Sequence, residues 1–123
     1  MLNFHELKLN NKDPVYIQVA AFVKRQILLG RVVSGDKLPS RREVAAQLGI
    51  NPNTVQKAFK RMEDEGYVRT SSTLGSVIYV DEEIKQRIEK ELTYELVSAF
   101  VASAKEIHLS FKSVIELISE HWD

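Results

Sequence analysis

Apolar and polar residues follow a helical period over most of this chain, broken by one short stretch near the middle that has a strand period. Tyr16, Val19, Ala20, Val23 and Ile27 follow steps of 3, 1, 3 and 4, which traces one stripe on a helix. Asp13-Pro14 predicts its start, with Asp13 as the cap and Pro14 at the first helical position, and Gly30 predicts its end. Residues 1–13 are polar with scattered apolar positions and predict an extended or loosely ordered lead-in. Residues 32–39 predict a connector, with Ser34-Gly35-Asp36 as a turn and Leu38 tucked inward. Ser40-Arg41-Arg42-Glu43 then matches the S-x-x-E capping box, in which hydroxyl and carboxylate each accept a free amide at a helix start. A short helix with Val44, Ala45 and Leu48 inward should end at Gly49. Asn51 as N-cap and Pro52 at the first position begin another helix, whose Val55, Ala58, Phe59 and Met62 share one face up to Gly66.

Two helices joined by so short a turn form a helix-turn-helix pattern. Behind it, Tyr67-Val68-Arg69-Thr70 and Val77-Ile78-Tyr79-Val80 read as strands, with Ser71 to Ser76 as the loop between them and Gly75 able to take a positive φ. A hairpin in that place is a wing. Asp81 can cap a long helix carrying Ile84, Ile88, Leu92, Leu96 and Phe100. The pattern resets at His108-Leu109-Ser110, and a last helix carries Phe111, Val114, Ile115 and Ile118, with Trp122 at its end. Two helices cannot bury all these residues against each other. The expected cover is a second copy, with Ile84, Ile88, Leu92, Leu96, Phe100, Phe111, Ile115 and Trp122 at the interface. The fold class expected is therefore mainly α with a small β-hairpin: a winged helix-turn-helix domain over 1–80 and a two-helix dimerisation tail over 81–123.

Charge sharpens the division. The 123 residues hold 17 Lys and Arg against 17 Asp and Glu, and neutrality on its own argues against nucleic acid. Yet residues 1–80 carry 12 basic and 7 acidic side chains, and residues 81–123 carry 5 and 10. Such a split points to an anion-binding front and an acidic rear. Cys is absent, so disulfides and thiolate metal sites are excluded. The first residues lack the basic and apolar regions of a secretory signal, and the charge-free stretch Leu96 to Ala104 falls short of the roughly 20 residues of a membrane span. A soluble, cytoplasmic protein without membrane contact is expected.

The exposed side of the Pro52 helix carries Asn53, Thr54, Gln56, Lys57, Lys60 and Arg61. Asn and Gln can pair with adenine edges, Thr can touch a thymine methyl, and Lys can reach guanine or phosphate. Its amide end, Asn51 to Thr54, can hold a phosphate. Arg42 is the better candidate for a base contact and Arg41 for a phosphate clamp, both at the start of the preceding helix. Taken singly, each is also what a solvated surface offers; the set on one capped helix is more telling. A winged helix used for protein contacts would instead carry apolar residues here, and Asn53, Gln56 and Lys57 speak against it. Catalysis is not expected: His5, His108 and His121 lack metal-ligand spacing, and no glycine-rich phosphate loop or G-x-S-x-G elbow occurs. No metal or cofactor is expected.

Pro14-Val15-Tyr16, the run Ser34 to Ala45, and Leu48-Gly49-Ile50-Asn51-Pro52-Asn53-Thr54-Val55, followed by Ala58, Glu63, Gly66 and Gly75, resemble the GntR family of bacterial transcription regulators. Asn51 to Gln56 with a short two-helix tail is similar to its YtrA-type branch. The resemblance implies a homodimeric regulator, a repressor in kind, on a double-stranded DNA operator of twofold symmetry. It implies DNA contacts from Arg42, Asn51, Pro52, Asn53, Thr54, Gln56 and Gly75 at the wing tip, with Tyr16 approaching the backbone. It allows a small-molecule effector, which no residue identifies. The chain departs from the pattern in three places: Arg41 stands where many members have Glu, His108 where the branch usually has Gly, and Thr73-Leu74 precede Gly75 with no basic side chain. Arg69 is then the expected phosphate contact of the wing.

Overall fold

A computed structural model describes all residues 1–123. The elements run α1 (Val15–Leu28), α2 (Arg41–Leu48), α3 (Pro52–Asp64), β1 (Val68–Ser71), β2 (Gly75–Ile78), α4 (Glu82–Glu106) and α5 (Phe111–His121). They form two compact units, Met1–Ile88 and Glu89–Asp123. No helix is long and apolar enough to cross a membrane.

Local signals set the helix-turn-helix. Ser40 Oγ accepts from the Glu43 amide and Glu43 Oε1 from the Ser40 amide, both at 3.1 Å, so the capping box is complete. Gly49 ends α2 at φ 65°, a left-handed conformation that glycine adopts without a Cβ penalty. Asn51 Oδ1 then accepts the Asn53 amide at 2.7 Å and starts α3. Val55, Ala58, Phe59 and Met62 are wholly buried between α1 and α2, so truncating Phe59 or Met62 to Ala costs about 2–5 kcal/mol. Leu48 is only half-buried.

The start of α1 differs from expectation. Pro14 is the N-cap and Asp13 makes no capping bond. Gln18 instead ties down the residues before the helix: its side-chain nitrogen donates to the Asp13 and Asn10 carbonyls at 2.7 and 3.0 Å, and its Oε1 accepts the Asn10 amide at 2.9 Å. Nor is the lead-in loose. Phe4 is fully buried with its ring 5.3 Å from that of Phe22, and its amide donates to Gln47 Oε1 at 2.8 Å. This segment covers a second side of α1, which explains why Phe22, outside the expected stripe, is buried.

The hairpin is shifted against the expected strands, because Tyr67 turns inward before β1 and Val80 lies beyond β2. Tyr67 is buried and its hydroxyl donates to the Ala20 carbonyl at 3.2 Å. β1 and β2 pair antiparallel, Val68 opposite Ile78 and Ser71 opposite Gly75, leaving Ser72, Thr73 and Leu74 at the tip. The connector adds a third edge: the Gly35 amide donates to the Ile78 carbonyl, the Ile78 amide to the Asp36 carbonyl and the Leu38 amide to the Ser76 carbonyl, at 2.8, 2.8 and 3.0 Å.

Asp81 caps α4 as expected, its Oδ1 accepting the Ile84 amide at 2.8 Å. Ile84 and Ile88, expected between copies, are instead buried within the first unit at 8% and 1% exposure. The reason is helical geometry: each four-residue step rotates about 40°, so a stripe spaced by four drifts off its face. Ile84 and Ile88 thus point into the first core, while Leu96 is 73% exposed. In the second unit, no residue of α5 is buried.

Candidate nucleic-acid interface

Pro52 and the Asn51 cap fix the first turn of α3, and its apolar face locks the helix to the core, so the remaining side chains project from a rigid rod. Asn53 and Gln56 are exposed and their side chains make no hydrogen bond within the chain; Thr54 is half-buried. Asn51 and Pro52 are exposed at the helix end, but Asn51 Oδ1 is already engaged by the Asn53 amide. Lys57 lies with Nζ 4.1 Å from the centroid of Tyr16, and the Arg61 guanidinium carbon lies 5.9 Å from the same ring. α1 thereby brings Tyr16 beside the cationic side of α3, joining two residues that are far apart in sequence.

The two arginines at the head of α2 part company. Arg42 is exposed and makes no ion pair, free to reach a ligand. Arg41 is half-buried, with Nη2 3.2 Å from Glu63 Oε1 and its guanidinium carbon 4.9 Å from the Phe59 centroid. Its Nε is buried without a hydrogen-bond partner. Arg41, expected as a phosphate clamp, is thus engaged with Glu63 and Phe59 in the free chain.

On the wing, Arg69 stacks on Tyr79 with its guanidinium carbon 3.4 Å from the ring centroid. Stacking uses the cation's face and leaves its N–H edges for an acceptor. Gly75 is exposed at φ 71°, where a side chain would strain the backbone, with open space around it. An open hollow of about 640 Å³ lies between the head of α2 and the wing, bordered by Ser40, Arg41, Arg42, Gly75 and Ser76 among others. No cluster of three metal-ligating side chains occurs.

The family model described as "Bacterial regulatory proteins, gntR family" matches residues 15–78, the segment from α1 to the end of β2. The chain belongs to the gntR family. Within the gntR family it is 35% identical over 106 residues to the HTH-type transcriptional regulator YhcF of Bacillus subtilis (strain 168), covering 86% of this chain and 88% of that protein. It is 41% identical over 75 residues to the HTH-type transcriptional repressor YtrA of the same organism, across 61% of this chain and 56% of that one. A solved transcriptional regulator from Oenococcus oeni superimposes with TM-score 0.71 at 28% identity, over 96% of this chain and 98% of that one. The chain is a helix-turn-helix transcriptional regulator, as its family and relatives are described, and its fold is mainly α with a two-stranded wing.

Sequence patterns missed the polar chain that runs from Arg41 through Glu63 to the hairpin. Glu63 Oε1 accepts from Thr70 Oγ1 at 2.7 Å, and Thr70 Oγ1 lies 2.7 Å from Ser76 Oγ. The unusual Arg at position 41 is the one sign of it in the sequence.

Proposed function

We propose that this regulator binds a twofold-symmetric double-stranded DNA operator as a homodimer and represses transcription from it. The carrying observation is the set Arg42, Asn53 and Gln56: exposed, unengaged in the chain, and held on capped helices beside a wing. α3 enters the major groove, where Asn53 and Gln56 read adenine edges and Arg42 reads a base from the head of α2. Thr54, Lys57 and the Asn51 amide meet the backbone, with Pro52 packed against it, as does Tyr16, which the Lys57 cation overlies. Arg69 and the tip at Gly75 lie along the flanking phosphates.

DNA binding belongs to the first unit and dimerisation to the second. In the second unit Phe111, Trp122 and Leu96 are 82%, 80% and 73% exposed, with Phe100 and Ile115 each at 47%. So much apolar surface on a short helical pair calls for a cover, and a second copy supplies it with closed symmetry. Two copies of α3 about 34 Å apart then match successive major grooves on one side of a duplex. Repression is inferred from the relative named as a repressor, and the protein works in the cytoplasm, where its DNA is. No effector site is assigned.

Selecting bound fragments from the source genome yields the operator, and titration of variants on it tests the reading. Arg42→Ala and Asn53→Ala should each weaken binding by about 1–3 kcal/mol and relax the preference at one base position. Unchanged affinity and unchanged preference in both variants would overturn it.

A further inference from the structure

Arg41, Glu63, Thr70 and Ser76 connect three parts of the DNA-facing unit. Arg41 opens α2, Glu63 lies in the last turns of α3, and Thr70 and Ser76 are paired residues of the two wing strands. A single carboxylate oxygen, Glu63 Oε1, takes both the Arg41 Nη2 bond at 3.2 Å and the Thr70 hydroxyl bond at 2.7 Å. The Thr70 hydroxyl reaches the Ser76 hydroxyl at 2.7 Å, and the Ser76 carbonyl accepts the Leu38 amide at 3.0 Å, two residues before the α2 cap. The contacts thus close a ring from α2 through α3 and the wing back to α2.

Such a ring has mechanical meaning. The wing is two strands of four residues, a ribbon of a size that is marginal without support, and the backbone bonds of the connector hold β2 but not β1. Bonds to an ionised carboxylate are about twice as strong as neutral ones, and here one such group grips the ribbon from the reading helix. Arg41 is committed to this grip. Its guanidinium lies on Phe59, its Nη2 serves Glu63, and its side chain is only 34% exposed. Releasing it to a phosphate would leave Glu63 uncompensated on a face that must meet a polyanion.

We propose that Arg41 and Glu63 are positioning residues: they fix the wing against the reading helix through Thr70, and Arg41 supports DNA affinity by this route and not by touching phosphate. This rests on the DNA-binding reading above. Glu63→Gln separates the alternatives because the two predict opposite signs. Removing a negative charge from a DNA-facing surface should tighten binding by simple electrostatics, whereas loosening the wing should weaken it.

The experiment uses the full chain, the operator duplex selected from genomic fragments, and titrations at several salt concentrations. Amide hydrogen exchange of the hairpin is measured on the free protein, and Arg42→Ala serves as reference. Glu63→Gln should weaken binding roughly fivefold or more, with the salt slope kept and faster exchange over residues 71–75. Thr70→Val, which changes no charge, should do the same, and Arg41→Ala combined with Glu63→Gln should cost less than the sum of the two. Tighter or unchanged binding by Glu63→Gln overturns the proposal, as does Arg41→Ala lowering the salt slope by about one. Thr70→Val with wild-type exchange also overturns it. A wild-type chain that binds no duplex overturns the DNA reading, and this assignment with it; failure of the wing variants beside a weakened Arg42→Ala overturns the positioning role alone.

Discussion

His108 holds the left-handed conformation at φ 60°, the only non-glycine residue of the chain with positive φ. Its amide bonds the Lys105 carbonyl at 3.1 Å and the Leu109 amide bonds the Ala104 carbonyl at 3.0 Å, the pair of bonds that closes a helix on a left-handed residue. The turn that glycine usually makes is therefore kept with a side chain in place. His108→Gly should raise unfolding stability by about 1 kcal/mol in urea titration, since it removes the Cβ clash of that conformation. A loss of stability would mean that the conformation is not strained. Lys24 shows a different cost. It is 4% exposed, and its Nζ lies 2.8 Å from Glu65 Oε1, while Arg61 Nε bonds the other carboxylate oxygen at 3.1 Å. Glu65→Ala should destabilise the chain by about 1–3 kcal/mol, because it removes a carboxylate that two cations, Lys24 and Arg61, share. Lys24→Met with Glu65→Gln should cost less than Glu65→Ala alone. Equal losses in urea titration would show that the loss comes from the Glu65 site itself and not from the charge on Lys24. No sequence pattern exposes this pair, because Lys24 and Glu65 are brought together by the packing of α1 on α3.

At the scale of elements, what could be read from the sequence divides by range. α2 and α3 follow from signals within four residues of each boundary: the Ser40-Glu43 box, Gly49, and Asn51-Pro52. The burial of Leu2 and Phe4 could not be foreseen, because it depends on Phe22 and Gln47, which lie far along the chain. The same holds for the connector edge at Lys37, which pairs with Val77. At the candidate interface, the composition of α3 showed which side chains are present, but not that Arg41 is occupied or that Tyr16 carries Lys57. The wing can be probed at its tip. Leu74 is 58% exposed, and its amide is held by Ser71 Oγ at 3.0 Å, so its side chain is free to change. Leu74→Lys should tighten binding to any duplex and steepen the salt slope by about one, because it adds a phosphate contact without altering base readout. An unchanged slope would place the tip away from DNA.

For the whole molecule, the charge division and the apolar division fall in the same order along the chain. The basic excess sits in the part that ends near β2, and the acidic excess lies in α4 and α5. A second unit that is both acidic and apolar on its exposed surface is repelled by a polyanion and drawn to its own kind. In the proposed homodimer, pairing through that unit would convert two weak half-site contacts into one strong one, because the second contact forms at the effective concentration set by the first. The consequence can be tested without touching the DNA face. Phe111→Glu together with Trp122→Glu changes two highly exposed aromatic residues, at the first position of and just after a helix with no buried residue, so the core of the first unit should be unaffected in circular dichroism. Light scattering should show one chain in solution where the parent shows two. Affinity for the full operator should fall by roughly 10²–10⁴, while binding to a single half-site should stay as it was. Because the half-site control keeps α2, α3 and the wing intact, a loss confined to the full operator can only come from uncoupling the two copies. A variant that remains paired, or that keeps its grip on the full operator as one chain, would place the cover of α5 elsewhere.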